Sequence, residues 1–305
     1  MRGNFLWLPT DCPQRDERLG WTGDIQVFAP TANFLFDTSA FLGEWLRDVE
    51  ADQGDYDGVP PVIVPVIPKP PYNTQARAMA IWADCVVLTP RDLHRSFGDR
   101  SFLEKQWESM CLWLDKGVPR DERQLYAKTS PQYGDWLDPR APPSLPGHGP
   151  TDPYLVANAY LIHVTRTAGQ IASMLDYKDA AARYSFQASG MLSRFHEEYV
   201  TPAGKLASNS QTAYVLALHF DLYDSDKQRQ AAREALGHLT RWEAFKITTG
   251  FAGTPLILKV LADNDMLSLA YRMLQERDDP SWLYTVRMGA TTIVSVPISL
   301  SAAGR

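Results

Sequence analysis

The chain has 305 residues, 45% of them apolar and 22% charged, with a formal net charge of −6. That balance is ordinary for a globular protein and excludes disorder throughout. The acidic excess, with no Lys/Arg cluster to neutralise phosphates, excludes nucleic-acid partners. No run approaches the roughly 18 consecutive apolar residues of a membrane-spanning helix, so no membrane partner is expected.

Taken along the chain, helices are expected near Val27–Asp52, Thr74–Thr89, Asp92–Phe97 and Ser101–Lys116. The clearest follows at Tyr154–Leu175, where Leu155, Ala159, Ile162, Ala168, Ile171, Ala172 and Leu175 recur at helical spacing. Thr151 or Asp152 can cap it, and Pro153 suits its first turn. Further helices are expected at Lys178–Tyr199, Ser210–Tyr223, Asp226–Trp242, Thr254–Ala262 and Met266–Glu276. Val59–Pro68 is β-branched, but Pro60, Pro61 and Pro65 rule out a central strand. The expected class is all-α. Successive long helices joined by long loops fit a toroid of paired helices, with the loops gathered on one cleft.

Cys12, Cys85 and Cys111 are too few for a disulfide framework and lack CxxC spacing for zinc. They are read as ordinary thiols, with one pair possible. The opening MRGNFLWLPTDCPQRDER is no signal peptide, because charge closes its short apolar stretch at once. The compartment stays open: cytoplasmic, or secreted if the chain is shortened at its N-terminus.

The densest run of functional groups is DCPQRDERLGWTGD, Asp11 to Asp24. Pro13, Gly20 and Gly23 prevent one regular helix. Trp21 stands among Asp11, Arg15, Asp16, Glu17, Arg18 and Asp24. Glycosidic hydrolysis needs a carboxylic acid to protonate the departing oxygen and a second carboxylate to activate water or attack directly. Further carboxylates can accept hydrogen bonds from hydroxyls while an aromatic packs on the ring. The run supplies an acid, hydroxyl acceptors and an aromatic. Nine Trp and thirteen Tyr in the whole chain point the same way. The competing reading is a surface loop of salt-bridged charges.

Asp11, Asp16, Glu17 and Asp24 can also be read as a hard-cation site. The interleaved Arg15 and Arg18 argue against it, and no metal or cofactor is expected. The six histidines show no metal-ligand spacing; His163, His219 and His238 fall on predicted helices, and His148 in a Pro/Gly-rich loop can face a cleft.

DCPQRDERLGWTGD, with RGNFLWLPT before it and IQVFAPTANFLFD after it, resembles the signature of the α-L-rhamnosidases of glycoside hydrolase family 78. Supporting likenesses are DGVPPVIVP, AIWADCVVLTP, YGDWLDP, PYLVANAYLIH, SNSQTAYVLAL, TGFAGTP and SWLYTVRMGATTI, so the resemblance covers residues 1 to about 293. It implies an (α/α)6 barrel that removes terminal non-reducing α-L-rhamnose with inversion. It makes Glu17 the general acid, Asp11 and Asp24 the carboxylates that hold the sugar hydroxyls, and Trp21 an aromatic of the same subsite. Arg15 and Asp16 would orient those groups. Trp82 and Trp136 match other aromatics of the subsite, with core packing the alternative for each. Asp84 and Asp135 beside them would bind hydroxyls, cap helices or form ion pairs.

The chain departs from the family after Met288–Ile293, where a Trp-Glu-Arg-Trp-like run should supply the general base. Here it reads Val294, Ser295, Val296 and Pro297, with Ser295 at the position expected for that glutamate. The accessory β-domains of the family are expected to be absent as well. The expectation is a partial catalytic domain over 1–293 and a divergent tail over 294–305, from a truncated gene product or a misassembled gene. Its activity is then in question, and the alternative is an inactive or merely rhamnose-binding remnant.

Overall fold

In the computed structural model the described residues are 2–67 and 77–291. Among them there is no strand, only isolated bridges, and the all-α class holds. The helices are α1 (Thr22–Leu35), α2 (Ser39–Asp55), α3 (Cys85–Phe97) and α4 (Ser101–Leu112), which runs into a π-helical turn at Trp113–Gly117. Then come α5 (Pro153–Met174), α6 (Lys178–Tyr199), α7 (Gln211–His219), α8 (Asp226–Trp242), α9 (Thr254–Asp263), α10 (Leu267–Leu274) and α11 (Trp282–Arg287). They form two compact units. One takes the chain up to Gln132 with Tyr160–Leu192; the other takes Tyr133–Ala159 and the chain from Ser193 onward.

In the first unit α3 packs against α1, α2 and α4. Its Val86, Val87 and Leu93 are fully buried, as are Leu42 and Val49 of α2 and Leu103 and Met110 of α4. Each such side chain contributes about 1.5–3 kcal/mol by leaving water.

The first half departs from the expected helices in several places, two of them with a clear local cause. The single stretch Val27–Asp52 is broken at residues 36–38. There the Asp37 carboxylate accepts from the Ser39 N–H (3.0 Å) and hydroxyl (2.6 Å), and Thr38 Oγ1 donates to Asn33 Oδ1 (2.5 Å). Short polar side chains thus offer the backbone a turn in place of continued helix. Conversely, α3 runs through Pro90, where two separate helices were expected. The ring removes one backbone bond, yet the helix survives because almost the whole segment before Pro90 is buried. Residues 77–84, expected to be helical, are not, with turns at 80–84, and 74–76 lie outside the described residues.

In the second unit α7 packs on α8 and α9, and α10 on α8 and α9. Residues 211–218 of α7 are all buried, the pattern of a helix enclosed on every side. Serine hydroxyls start three helices: Ser210 accepts from Ala213 N (3.2 Å), Ser225 from Gln228 N (3.3 Å) and Ser281 from Tyr284 N (3.1 Å). Such caps are each worth about 1 kcal/mol. Asp152 caps α5 through the N–H groups of Tyr154 (2.7 Å) and Leu155 (3.3 Å). The short α11 was not anticipated from periodicity. Cys12, Cys85 and Cys111 are all free thiols. No helix among the described residues is long and apolar enough to cross a membrane.

Candidate functional site

The Asp11–Asp24 loop belongs to the first unit and is tied down at both ends. At its start Asn4 Nδ2 donates to the carbonyls of Thr10 (3.0 Å) and Asp11 (3.1 Å), and the Asp11 N–H donates to Leu19 O (3.1 Å). At its end Thr22 N donates to Val62 O (3.0 Å) and Val64 N to Gly20 O (2.9 Å), which brackets a bridge between Trp21 and Ile63. The proline-broken segment at 59–65 is therefore no strand but a backbone ledge for the loop.

Two glycines make this possible. A Cβ on Gly20 would stand 2.3 Å from Val64 O, so only glycine lets the two backbones meet. A Cβ on Gly23 would stand 2.7 Å from the Trp82 ring, so the indole lies directly against the start of α1.

Between these anchors the charges are arranged around Arg15. Its Nη1 lies 4.0 Å from Asp11 Oδ2 and 3.7 Å from Glu17 Oε1. The arginine is 57% exposed, Asp11 only 9% and Glu17 24%, so one solvent-facing cation bridges two sheltered carboxylates. Asp16 and Arg18 are exposed, and Trp21 is half-buried. Asp24, in the first turn of α1, has its carboxyl pushed up to about 7, first by burial and then by the negative charge of Asp11.

Trp82 is 3% exposed, so most of its ring is packing surface. Asp84 next to it is also buried, and its carboxylate accepts from Ile81 N (2.7 Å) and Trp113 Nε1 (3.1 Å). Burial pushes its carboxyl up to about 6. The packing and turn-holding alternatives fit these two residues better than sugar contact.

Asp135 and Trp136 belong to the second unit. Asp135 is 1% exposed, and both its oxygens are engaged by its own chain. Oδ2 accepts from Thr212 Oγ1 (2.5 Å) and Gly250 N (2.8 Å), and Oδ1 from Ala252 N (3.0 Å) and Gly253 N (3.3 Å). Four donors fill the roughly four acceptor positions of a carboxylate, leaving none for a hydroxyl. For Asp135 that geometry fits the structural alternative better than direct sugar contact. Trp136 is half-buried, and its ring centre lies 4.9 Å from that of Tyr133.

Thr212, Tyr133 and Phe251, which contact Asp135 or Trp136, were not singled out in the sequence. Only the glycines around Phe251 hinted at a close backbone approach. His163 lies 3.2 Å from an Arg91 nitrogen, and His148 is exposed. Among the described residues no group of His, Cys, Asp and Glu is disposed to hold a metal ion. Ser295 and the tail at 294–305 lie outside the described residues.

The model of the bacterial alpha-L-rhamnosidase 6 hairpin glycosidase domain family matches residues 1–296. An alpha-L-rhamnosidase of Streptomyces avermitilis is 37% identical over 96% of this chain, which spans 26% of that protein. One of Formosa agariphila is 32% identical, again over 96% of this chain and 31% of its own length. Among solved structures, the native rhamnosidase of Aspergillus terreus aligns with TM-score 0.92 and 39% identity, covering 97% of this chain and 34% of that one. The Streptomyces avermitilis enzyme complexed with L-rhamnose aligns with TM-score 0.87 and 36% identity, covering 99% and 28%. The chain thus spans about a quarter to a third of these relatives' length. On its sequence and its fold, it belongs to the alpha-L-rhamnosidase six-hairpin glycosidase family.

Proposed function

We propose that this chain carries the acid-bearing, sugar-binding part of an α-L-rhamnosidase that removes terminal non-reducing α-L-rhamnose with inversion. Glu17 delivers a proton to the departing glycosidic oxygen. Asp11 and Asp24 hold the rhamnose hydroxyls; with its carboxyl near 7, Asp24 can donate as well as accept a hydrogen bond. Trp21 offers an apolar face suited to a sugar that bears a methyl in place of a hydroxymethyl. Arg15 orients Asp11 and Glu17, and Asp16 assists from the exposed side. Trp82 supports the loop from beneath through Gly23. By the same family resemblance Trp136 is assigned a contact with the sugar.

The observation that carries this reading is the placement of Arg15 within 4.0 Å of Asp11 and 3.7 Å of Glu17, in a loop anchored at both ends. A surface loop of solvated ion pairs would leave its carboxylates open, whereas Asp11 is 9% exposed.

An inverting enzyme also needs a carboxylate base to deprotonate the attacking water. Ser295 stands where that glutamate is expected, and a hydroxyl cannot replace it. We therefore keep a second reading: rhamnose binding without cleavage, by a domain at 1–293 followed by a divergent tail.

Release of p-nitrophenol from its α-L-rhamnoside, with β-L-rhamnose as the first product and a loss of about 10²–10⁴-fold on Glu17→Gln, is the result expected for the enzyme. Saturable L-rhamnose binding by calorimetry without release would select the binding reading. Neither binding nor release would defeat both.

A further inference from the structure

Asp135 is a buried charge with no cation at hydrogen-bond distance among the described residues; its partners are one hydroxyl and three backbone N–H groups. Such a group is expensive to bury unless every acceptor position is satisfied. Here the donors come from α7 (Thr212) and from the loop 249–253, so the carboxylate joins two elements to the turn that carries Trp136.

The joint is close at the backbone as well. Phe251 N donates to Trp136 O (2.7 Å), and Leu137 adopts a left-handed conformation (φ 63°). A Cβ on Gly250 would stand 2.5 Å from the carbonyl oxygens of both Asp135 and Trp136, and one on Gly253 2.5 Å from Thr212 Oγ1. Neither glycine leaves room for slack. The side chains this clamp sets in place are aromatic: Trp136 against Tyr133, with Phe251 on the facing loop, all three half-buried. Aromatic rings offer apolar area at little conformational cost, and the C–H face of a deoxy-sugar is a fitting partner.

We propose that Asp135 is a positioning residue for rhamnose binding, fixing the backbone of Trp136 and Phe251 and so setting their aromatic face, without touching the sugar itself. This rests on the assignment of Trp136 to the sugar. It replaces direct hydroxyl binding by Asp135 with action through a neighbour, and it brings Thr212 and Phe251 into the site's support.

The test is a double-mutant cycle on L-rhamnose affinity, measured by calorimetry on the whole chain, with backbone amide exchange at residues 250–253. Asp135→Asn places an amide NH2 against backbone N–H donors. It is expected to weaken rhamnose about tenfold, a coupling of ordinary size for contacting residues. In a Trp136→Ala background the same change should have an effect of about twofold or less. Exchange at Gly250, Phe251, Ala252 and Gly253 should accelerate in Asp135→Asn with or without sugar. If Asp135→Asn does not fold, Thr212→Val removes one donor and should act in the same direction more weakly.

Equal weakening in both backgrounds would overturn the proposal, because Asp135 would then act on the sugar independently of Trp136. Unchanged exchange at residues 250–253 would overturn it too. No rhamnose binding by the parent chain would sink the sugar assignment first and this inference with it. Binding by the parent chain with an additive cycle would sink the inference alone.

Discussion

The Asp11–Asp24 loop and the Asp135 clamp use the same chemistry for opposite ends. Both set carboxylates beside tryptophans in glycine-containing turns. In the loop the carboxylates face one exposed arginine, and Glu17 remains 24% exposed, so its oxygens can meet a ligand. In the clamp a 1% exposed carboxylate is saturated by its own chain. On the proposed reading, the difference teaches that a carboxylate of this chain serves the sugar only where its acceptors are left open. Asp84 falls on the clamp side, holding Ile81 and Trp113.

The comparison breaks first at Glu17. If the loop is the chemical half, Glu17→Gln should lower kcat by about 10²–10⁴-fold, the usual range for a general acid, with a melting temperature close to that of the parent. A comparable loss of activity accompanied by collapse of the fold would move Glu17 to the structural side.

Next comes Asp135→Asn, which leaves buried donors unsatisfied and should lower unfolding free energy by about 2–3 kcal/mol. Chemical denaturation checks this; a change within error would show that the clamp does not hold the loop 249–253. Gly23→Ala presses a methyl into the Trp82 ring at 2.7 Å and should cost about 1–3 kcal/mol. The same assay detects it, and a neutral result would mean that Trp82 is not seated as described.

Asp24 sharpens the contrast through pH. Its folded carboxyl titrates near 7, above the unfolded value of about 4, so the native state holds an extra proton between those limits. Its contribution to stability is full below about pH 4 and lost as pH rises through 7. Asp24→Asn, which keeps the neutral form, should therefore raise the melting temperature relative to the parent above pH 7 and not below pH 4. No pH dependence of that difference would place Asp24 with the ordinary exposed acids. Arg15→Ala comes last in stability, within about 1 kcal/mol because the cation is mostly exposed, yet it should weaken rhamnose binding measurably.

Much of the second half could be read directly from residue order. Lys178–Tyr199 and Asp226–Trp242 match α6 and α8 at both ends, with Asp176 before the first run and Asp224-Ser225 before the second. The first half was harder. The Asp37–Ser39 turn is a hydrogen-bonding choice that hydropathy does not register, and the survival of α3 through Pro90 depends on burial by other elements. The loop at 11–24 was visible from its composition, and its family likeness singled it out. What sequence alone could not separate was open from saturated carboxylates: Asp135 and Asp11 look alike until Thr212 and the amides of 250–253 are brought to one of them.

The most direct measurement is a crystal structure of this chain soaked with L-rhamnose. The account expects sugar hydroxyls within hydrogen-bonding distance of Asp11 and Asp24, the Glu17 carboxyl facing the anomeric oxygen, and the four internal bonds of Asp135 intact. Rhamnose held by the Asp135 carboxylate, or bound with none of the loop's acids in reach, would contradict it.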